Sequence, residues 1–236
     1  MPVLFRPAHT CETWLMLVDL HVHTRLSSDS NVAPEVYLQA ASANSLRLGA
    51  ICFTEHRLYP TDSELDLAYA EMSQRFGIHI FKGIEADTDL GHLLIFGVTR
   101  ELQQRFDLDG RMNRAHAIIE VVHDEGGIAI PAHPFRDSGY GPRLDDLLGR
   151  LGPALSAIEA INGQNTQEQN VAALAIAAKL GLTAVGGSDA HFASPRWFMT
   201  CATELERDVT TVEELCQELR AGRARAFQFA ENDAGR

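Results

Sequence analysis

The residues best suited to chemistry in this chain are imidazoles and carboxylates set in short clusters. They are His21 and His23 in His21-Val22-His23, Asp29 in Ser27-Ser28-Asp29-Ser30, His56 in Thr54-Glu55-His56, Glu85, His92, His133 in Ala132-His133-Pro134, and Asp189 and His191 in Ser188-Asp189-Ala190-His191. Neutral imidazole and ionised carboxylate are the ordinary protein ligands of divalent cations. Side chains alternate across a strand, so His21 and His23 share a face with Asp19, while Val18, Leu20 and Val22 share the other. Asp189 and His191 repeat the i, i+2 spacing. These nine groups exceed what one ion needs. At three or four protein ligands per ion, with Glu85 able to bridge, they suit two or three ions.

Each cluster lies at or just after a strand-like run. The apolar run Trp14 to Val18 leads to His21, and Ala50 to Phe53 leads to His56. Ile78 to Ile84 delivers Glu85-Ala86-Asp87, His92 to Val98 begins at an imidazole, and Ile128 to Ile130 runs into His133. Ala157 to Ile161 precedes Asn162-Gly163, Thr183 to Val185 precedes Asp189, and Cys201 to Glu204 closes the series. Helical periodicity falls between them: Pro34 to Leu48, Asp62 to Phe76, Arg111 to Glu125, Leu144 to Leu151, Gln167 to Leu180 with Gly181 as the stop, and Thr211 to Arg220 with Gly222. Strand and helix alternate without a linker, which predicts a single α/β domain on a largely parallel sheet. Chemistry at strand ends fits the C-terminal rim of a βα barrel, and no Gly-rich phosphate loop marks an open doubly wound sheet. Residues 1–13 read as an N-terminal extension and 14–236 as the domain.

The 236 residues are 45% hydrophobic and 22% charged, ordinary values for a globular domain. The formal charge of -12 opposes stable binding to duplex DNA. Lys82 and Lys179 are the only lysines, so anion recognition falls to arginine, whose planar fork suits phosphate. Arg136, Arg196, Arg25 and Arg57 each lie a few residues from a candidate ligand, and Asn162 follows a strand directly. Cys11, Cys52, Cys201 and Cys216 form no paired motif, which fits reduced thiols in a cytoplasmic protein. No apolar run approaches the roughly 20 residues of a membrane span. Nothing in the pattern selects an oligomeric state.

In order and spacing, from Leu17 to Thr203, these motifs resemble the PHP family, named for its polymerase and histidinol phosphatase members. Gly83-Ile84-Glu85 and Ile158-Glu159-Ala160-Ile161-Asn162-Gly163 with Gln169-Asn170 belong to the same pattern. The resemblance implies a distorted (β/α)7 TIM-like barrel with a trinuclear metal site that hydrolyses phosphoesters. By motif, one ion would be held by His21, His23, Glu85 and Asp189, a second by Asp29, His56 and His191, and a third by Glu85, His92 and His133. Ser30 stands where glycine often follows the aspartate, and Glu55 where aspartate is commoner. Both departures bear on loop shape or on bonds behind the ligands.

The expected activity is metal-dependent phosphoester hydrolysis by a metal-bridged hydroxide, with Asp189 and His191 acting through it and manganese, zinc or iron as the ions. The expected substrate is a small phosphomonoester or short oligonucleotide, because the chain is acidic and lacks an aromatic-plus-basic stripe. Three alternatives stand beside it: a nuclease on single-stranded nucleic acid, a metal-dependent amidohydrolase, and a non-catalytic metal-bearing regulatory domain. Lys82, three residues from Glu85, points to the opposite face of its strand, which argues against an amidohydrolase built on a carboxylated lysine. His79, His116 and His123 read as structural or surface residues. Asp19 could orient a ligand imidazole or bond to backbone; Asp87 could orient one likewise, with a solvated loop the favoured reading.

Overall fold

A computed structural model describes residues 16–44, 48–136 and 154–229. The expected N-terminal extension (1–13), the start of the first strand at Trp14 and the helix Leu144 to Leu151 lie outside these residues. The strands are β1 (Met16–Val22), β2 (Ala50–His56), β3 (His79–Thr88), β4 (Gly91–Phe96), β5 (Ile128–Pro131), β6 (Ala157–Asn162), β7 (Thr183–Gly187), β8 (Cys201–Leu205) and β9 (Ala224–Gln228). The helices are α1 (Pro34–Ser42), α2 (Ser63–Phe76), α3 (Arg100–Arg105), α4 (Ala115–Asp124), α5 (Gln167–Leu180) and α6 (Val212–Arg220).

Local chemistry accounts for most boundaries. The Asp62 side chain accepts from the Glu64 N–H to start α2, and Gly77, at φ 65°, ends it in the left-handed region. Thr166 and Gln169 form a reciprocal capping box on α5, and Gly181 stops it. The bounds of α1 fall short of the expected Leu48: Ser42 Oγ donates to the Leu38 carbonyl at 2.7 Å, the local bond that weakens a helix end. β3 runs past its expected end because β2 pairs with it as far as Glu85 and β4 as far as Thr88. Glu85 and Asp87 therefore sit inside a strand. Helix α3 and strand β9 were not expected.

The result is a single mixed α/β domain with a curled, half-barrel sheet. Seven strands run in the order β5-β4-β3-β2-β1-β8-β9, and β6 pairs with β7 separately. The expectation of a largely parallel sheet is corrected: β3–β4, β4–β5, β1–β8 and β8–β9 are antiparallel. Only Asp89 and Leu90 separate β3 from β4, too short a link for a parallel crossover. Beyond the end of β7, the Asp189 N–H donates to the His21 carbonyl at 2.7 Å and the His23 N–H to the Ala190 carbonyl at 3.0 Å, which joins that end to β1.

Inside the curl, Val18, Leu20, Cys52, Phe81, Phe96 and Ile130 pack with Leu215 and Leu219 of α6. Val22 instead packs with Tyr37, Phe53 and Phe198. Val18, Leu20 and Val22 thus do not share one surrounding, because the β1–β2 register shifts between Asp19 and Val22. A second shift lies between Glu159 and Ile161 of β6. Such irregularities re-aim side chains, and these two lie beside His21 and Glu159.

Candidate metal centre

The polar end of the curl gathers side chains from four strands and from the segments after β1, β5 and β7 around Glu85, which is fully buried on β3. Its Oε2 lies 3.2 Å from His21 Nε2, 3.3 Å from His23 Nε2 and 2.9 Å from His56 Nδ1. Its Oε1 lies 2.7 Å from His92 Nδ1 and 2.9 Å from His133 Nε2. Asp189 Oδ1 stands 3.5 Å from His21 Nε2 and 3.3 Å from His23 Nε2. At the rim, Asp29 Oδ2 is 3.2 Å from His56 Nε2 and 3.3 Å from His191 Nε2. All nine candidates from the motifs therefore converge. Three subsets bring one ligand atom each within 4.8 Å of one another: His21, His23 and Glu85; His23, His56 and His191; His56, Glu85 and His92.

Backbone and hydrogen bonds hold this arrangement. His133 (φ 32°) and Asp189 (φ 54°) both occupy the left-handed region, a conformation that costs about 1–3 kcal/mol in a non-glycine residue. Asp189 consequently breaks from β7 rather than extending it. Glu55 fixes the loop after β1: it accepts from the Thr24 N–H at 3.0 Å, the Thr24 hydroxyl at 2.6 Å and the Ser27 hydroxyl at 2.7 Å. With its proton given to Glu55, Ser27 Oγ accepts from His23 Nδ1 at 3.2 Å and the His56 N–H at 3.0 Å. Ser30 Oγ bridges the carbonyls of His23 and His191, at 3.0 and 3.2 Å. Both departures from the family motif thus shape the loop carrying Asp29.

Asp19 accepts from the backbone N–H groups of His21 and Ser188, at 3.2 and 2.9 Å. It ties β1 to the exit of β7 and touches no ligand imidazole; burial pushes it up to about 7 against those hydrogen bonds. Asp87, expected in a solvated loop, is buried with Oδ1 3.3 Å from His92 Nε2. Arg136 reaches Asp189 Oδ2 at 2.7 Å and Asn165 Oδ1 at 3.0 Å, and it also bonds Asn162. Arg25 and Arg196 are not brought onto the cluster by any described contact. The Arg196 guanidinium lies over Trp197. Lys82 turns outward to Asp66 and the Pro60 carbonyl, away from Glu85.

Two side chains behind the imidazoles, Glu159 and Ser27, carry no role in the motifs read from the sequence. Glu159 is fully buried and accepts from His21 Nδ1 at 2.9 Å, and Ser27 plays the same part for His23. A carboxylate in the otherwise apolar run Ala157-Ile158-Glu159-Ala160-Ile161 was the available signal.

The electrostatics of the cluster favour a cation. With their Nδ1 protons directed at Glu159 and Ser27, His21 and His23 turn Nε2 lone pairs toward Glu85 Oε2 and Asp189 Oδ1. His21 Nε2, His23 Nε2 and Glu85 Oε2 are all buried without a hydrogen-bond partner. Lone pairs in that arrangement repel unless the rings take up extra protons or a cation lies among them. The pKa directions express the same demand. Burial alone would strip His21 of a proton, yet Asp189, Glu159 and Glu85 raise it well above the ordinary imidazole value. Burial would neutralise Glu85, yet His21, His56 and His133 hold it well below the carboxylate range. The donor set, imidazole nitrogen with carboxylate oxygen, fits a divalent transition metal.

Residues 19–155 match the profile of the PHP domain, and residues 167–224 match that of the PHP-associated region. No curated protein gives a significant match. Among solved structures, PsfC from Pseudomonas syringae is 22% identical, with 92% of this chain and 93% of that one aligned at a TM-score of 0.68. A two-domain protein from Bacteroides vulgatus containing a predicted PHP-like metal-dependent phosphoesterase is 20% identical, with 90% of this chain and 64% of that one covered and a TM-score of 0.63. The lesion-specific endonuclease PfuEndoQ from Pyrococcus furiosus is 18% identical, covering 89% and 57% at a TM-score of 0.64. At these identities the likenesses speak for the fold.

Proposed function

The chain belongs to the PHP family of phosphoesterases, and from that membership we propose that its buried cluster holds two or three divalent ions and hydrolyses a small phosphomonoester or short oligonucleotide. The observation that carries this reading is the meeting of His21 Nε2, His23 Nε2 and Glu85 Oε2 in a buried spot without partners. His21, His23, Glu85 and Asp189 would hold one ion, Asp29, His56 and His191 a second, and Glu85, His92 and His133 a third. Manganese, zinc or iron suits such ligands. Ions at these positions would acidify a water and neutralise charge on the phosphoryl group, so no nucleophilic side chain is required.

The chain's own residues supply position and charge balance. Arg136 holds Asp189 Oδ2, which leaves Oδ1 facing His21 and His23. NH1 and NH2 of Arg136 each keep a second N–H placed to meet substrate phosphate, whereas Asn162 Nδ2 is spent on Glu159 and Asp189, at 2.9 and 3.3 Å, and acts through them. Asp29, His56 and His191 are partly exposed, so substrate approaches over them. We read β1 to β7 as the seven strands of a distorted (β/α)7 barrel, and the buried free thiols Cys52, Cys201 and Cys216 as suited to the reducing cytoplasm.

The test is turnover of a panel of nucleotides, sugar phosphates, histidinol phosphate and short oligonucleotides with added manganese or zinc. Hydrolysis of a phosphomonoester is expected, and Asp189→Ala and His191→Ala should abolish it while circular dichroism stays native. Full activity in both variants would remove the site.

A further inference from the structure

Glu159 is a fully buried carboxylate whose two oxygens receive three donors. Oε1 accepts from His21 Nδ1 at 2.9 Å; Oε2 accepts from the backbone N–H of His133 at 2.6 Å and from Asn162 Nδ2 at 2.9 Å. Burying a carboxylate costs several kcal/mol unless such bonds offset it, and an apolar residue would fill this place in β6 without that cost. The use of the charge lies in what it controls.

An ionised carboxylate only accepts. It therefore keeps the His21 proton on Nδ1 and turns the Nε2 lone pair toward Glu85 and Asp189. Through its other oxygen it holds the N–H of His133, a residue in left-handed backbone whose Nε2 reaches the opposite oxygen of Glu85. One side chain thus sets two imidazoles that meet Glu85 from different sides. Room for it depends on Gly187, where a Cβ would lie 2.9 Å from Glu159 Oε1 and 2.5 Å from His21 Cβ.

We propose that Glu159 is a positioning residue that fixes the His21 tautomer and the His133 backbone together, so that both imidazoles present Nε2 to Glu85. The proposal rests on the metal-bearing reading above. A carboxylate behind a ligand imidazole orients the ring and strengthens it as a donor, and losing such a partner typically lowers metal affinity by about 10–100-fold.

The test uses the full chain, its Glu159→Gln and Glu159→Asp variants, and zinc alone, titrated against a chromophoric chelator. Glu159→Gln should stay folded by circular dichroism and bind zinc about 10–100-fold more weakly, with Glu159→Asp, which keeps the charge, falling between it and the parent. A purely structural role would lower the melting temperature of both variants and leave zinc affinity unchanged, which overturns the proposal. Should Glu159→Gln fail to fold, the parent decides. In the zinc-loaded protein, ¹⁵N–¹H spectra should show the His21 Nδ1 proton protected from exchange by its bond to Glu159, and a freely exchanging Nδ1 proton overturns the assignment. A parent chain that binds neither zinc nor manganese overturns the metal-bearing reading and this proposal with it. Zinc binding that ignores Glu159 overturns the proposal alone.

Discussion

The two ends of the histidine and carboxylate cluster are built differently. At the inner end, His21, His23, Glu85 and Asp189 have side chains between 0% and 3% exposed, and carboxylates stand behind the imidazoles, Glu159 directly and Glu55 through Ser27. At the rim, Asp29 is 51% exposed, with His56 and His191 at 18% and 21%. Burial and the His23 charge lower the His191 pKa, whereas Asp189, Glu159 and Glu85 raise that of His21. The inner end is thus preorganised by β1, β3 and the hydrogen-bonded exits of β1 and β7, in a low-dielectric setting where charge interactions are strong. The rim sets the last residue of β2 beside two segments outside the strands, all partly open to water. The contrast separates holding an ion from admitting a substrate.

Glu85 joins the two ends, so Glu85→Ala should have the largest effect. Phosphoester turnover is expected to fall by about 10³-fold or more, at least ~4 kcal/mol of activation free energy, with bound metal close to zero by elemental analysis. Asp29→Ala should empty only the rim, with turnover falling on the order of 10²-fold while the inner ion is retained. Equal metal loss in both variants would erase the contrast.

Acidity sharpens the comparison. Burial opposes a charge on His23, but Asp189 and Glu85 push its pKa up to about 9 from 6.5. A group raised in the folded state stabilises fully below its unfolded value and loses that contribution as pH climbs through the folded one. Protein stripped by chelator should therefore lose melting temperature between pH 6.5 and 9. Added zinc should restore it and release protons, seen by calorimetry in buffers of different ionisation enthalpy. A flat stability profile in the stripped protein would contradict this.

The smallest effect is steric. Gly187→Ala places a methyl group against the His21 Cβ and should cost about 1–3 kcal/mol by overpacking, read from denaturant unfolding. Cost below that range would mean the inner end is looser than its contacts indicate.

The cluster itself was legible because each member sits in a short motif of distinctive residue types; the strand spacing announced for Asp189 and His191 did not apply, since Asp189 turns through left-handed backbone beyond β7. Strand direction was not legible. Nothing in the β3 and β4 segments distinguishes a hairpin from a crossover except the brevity of Asp89-Leu90, and the extent of β3 depends on neighbours that periodicity does not reveal. The face assignment in β1 failed between Leu20 and Val22 because a register shift is a pairing property of two strands. Glu159 was visible as a charge in an apolar run, but its partners, His21 and His133, are remote in sequence.

The most direct measurement is anomalous X-ray diffraction from crystals grown with manganese. Peaks among His21, His23, Glu85 and Asp189, with weaker occupancy beside Asp29, His56 and His191, are predicted. Manganese bound elsewhere, or none at saturating concentration, would contradict the account.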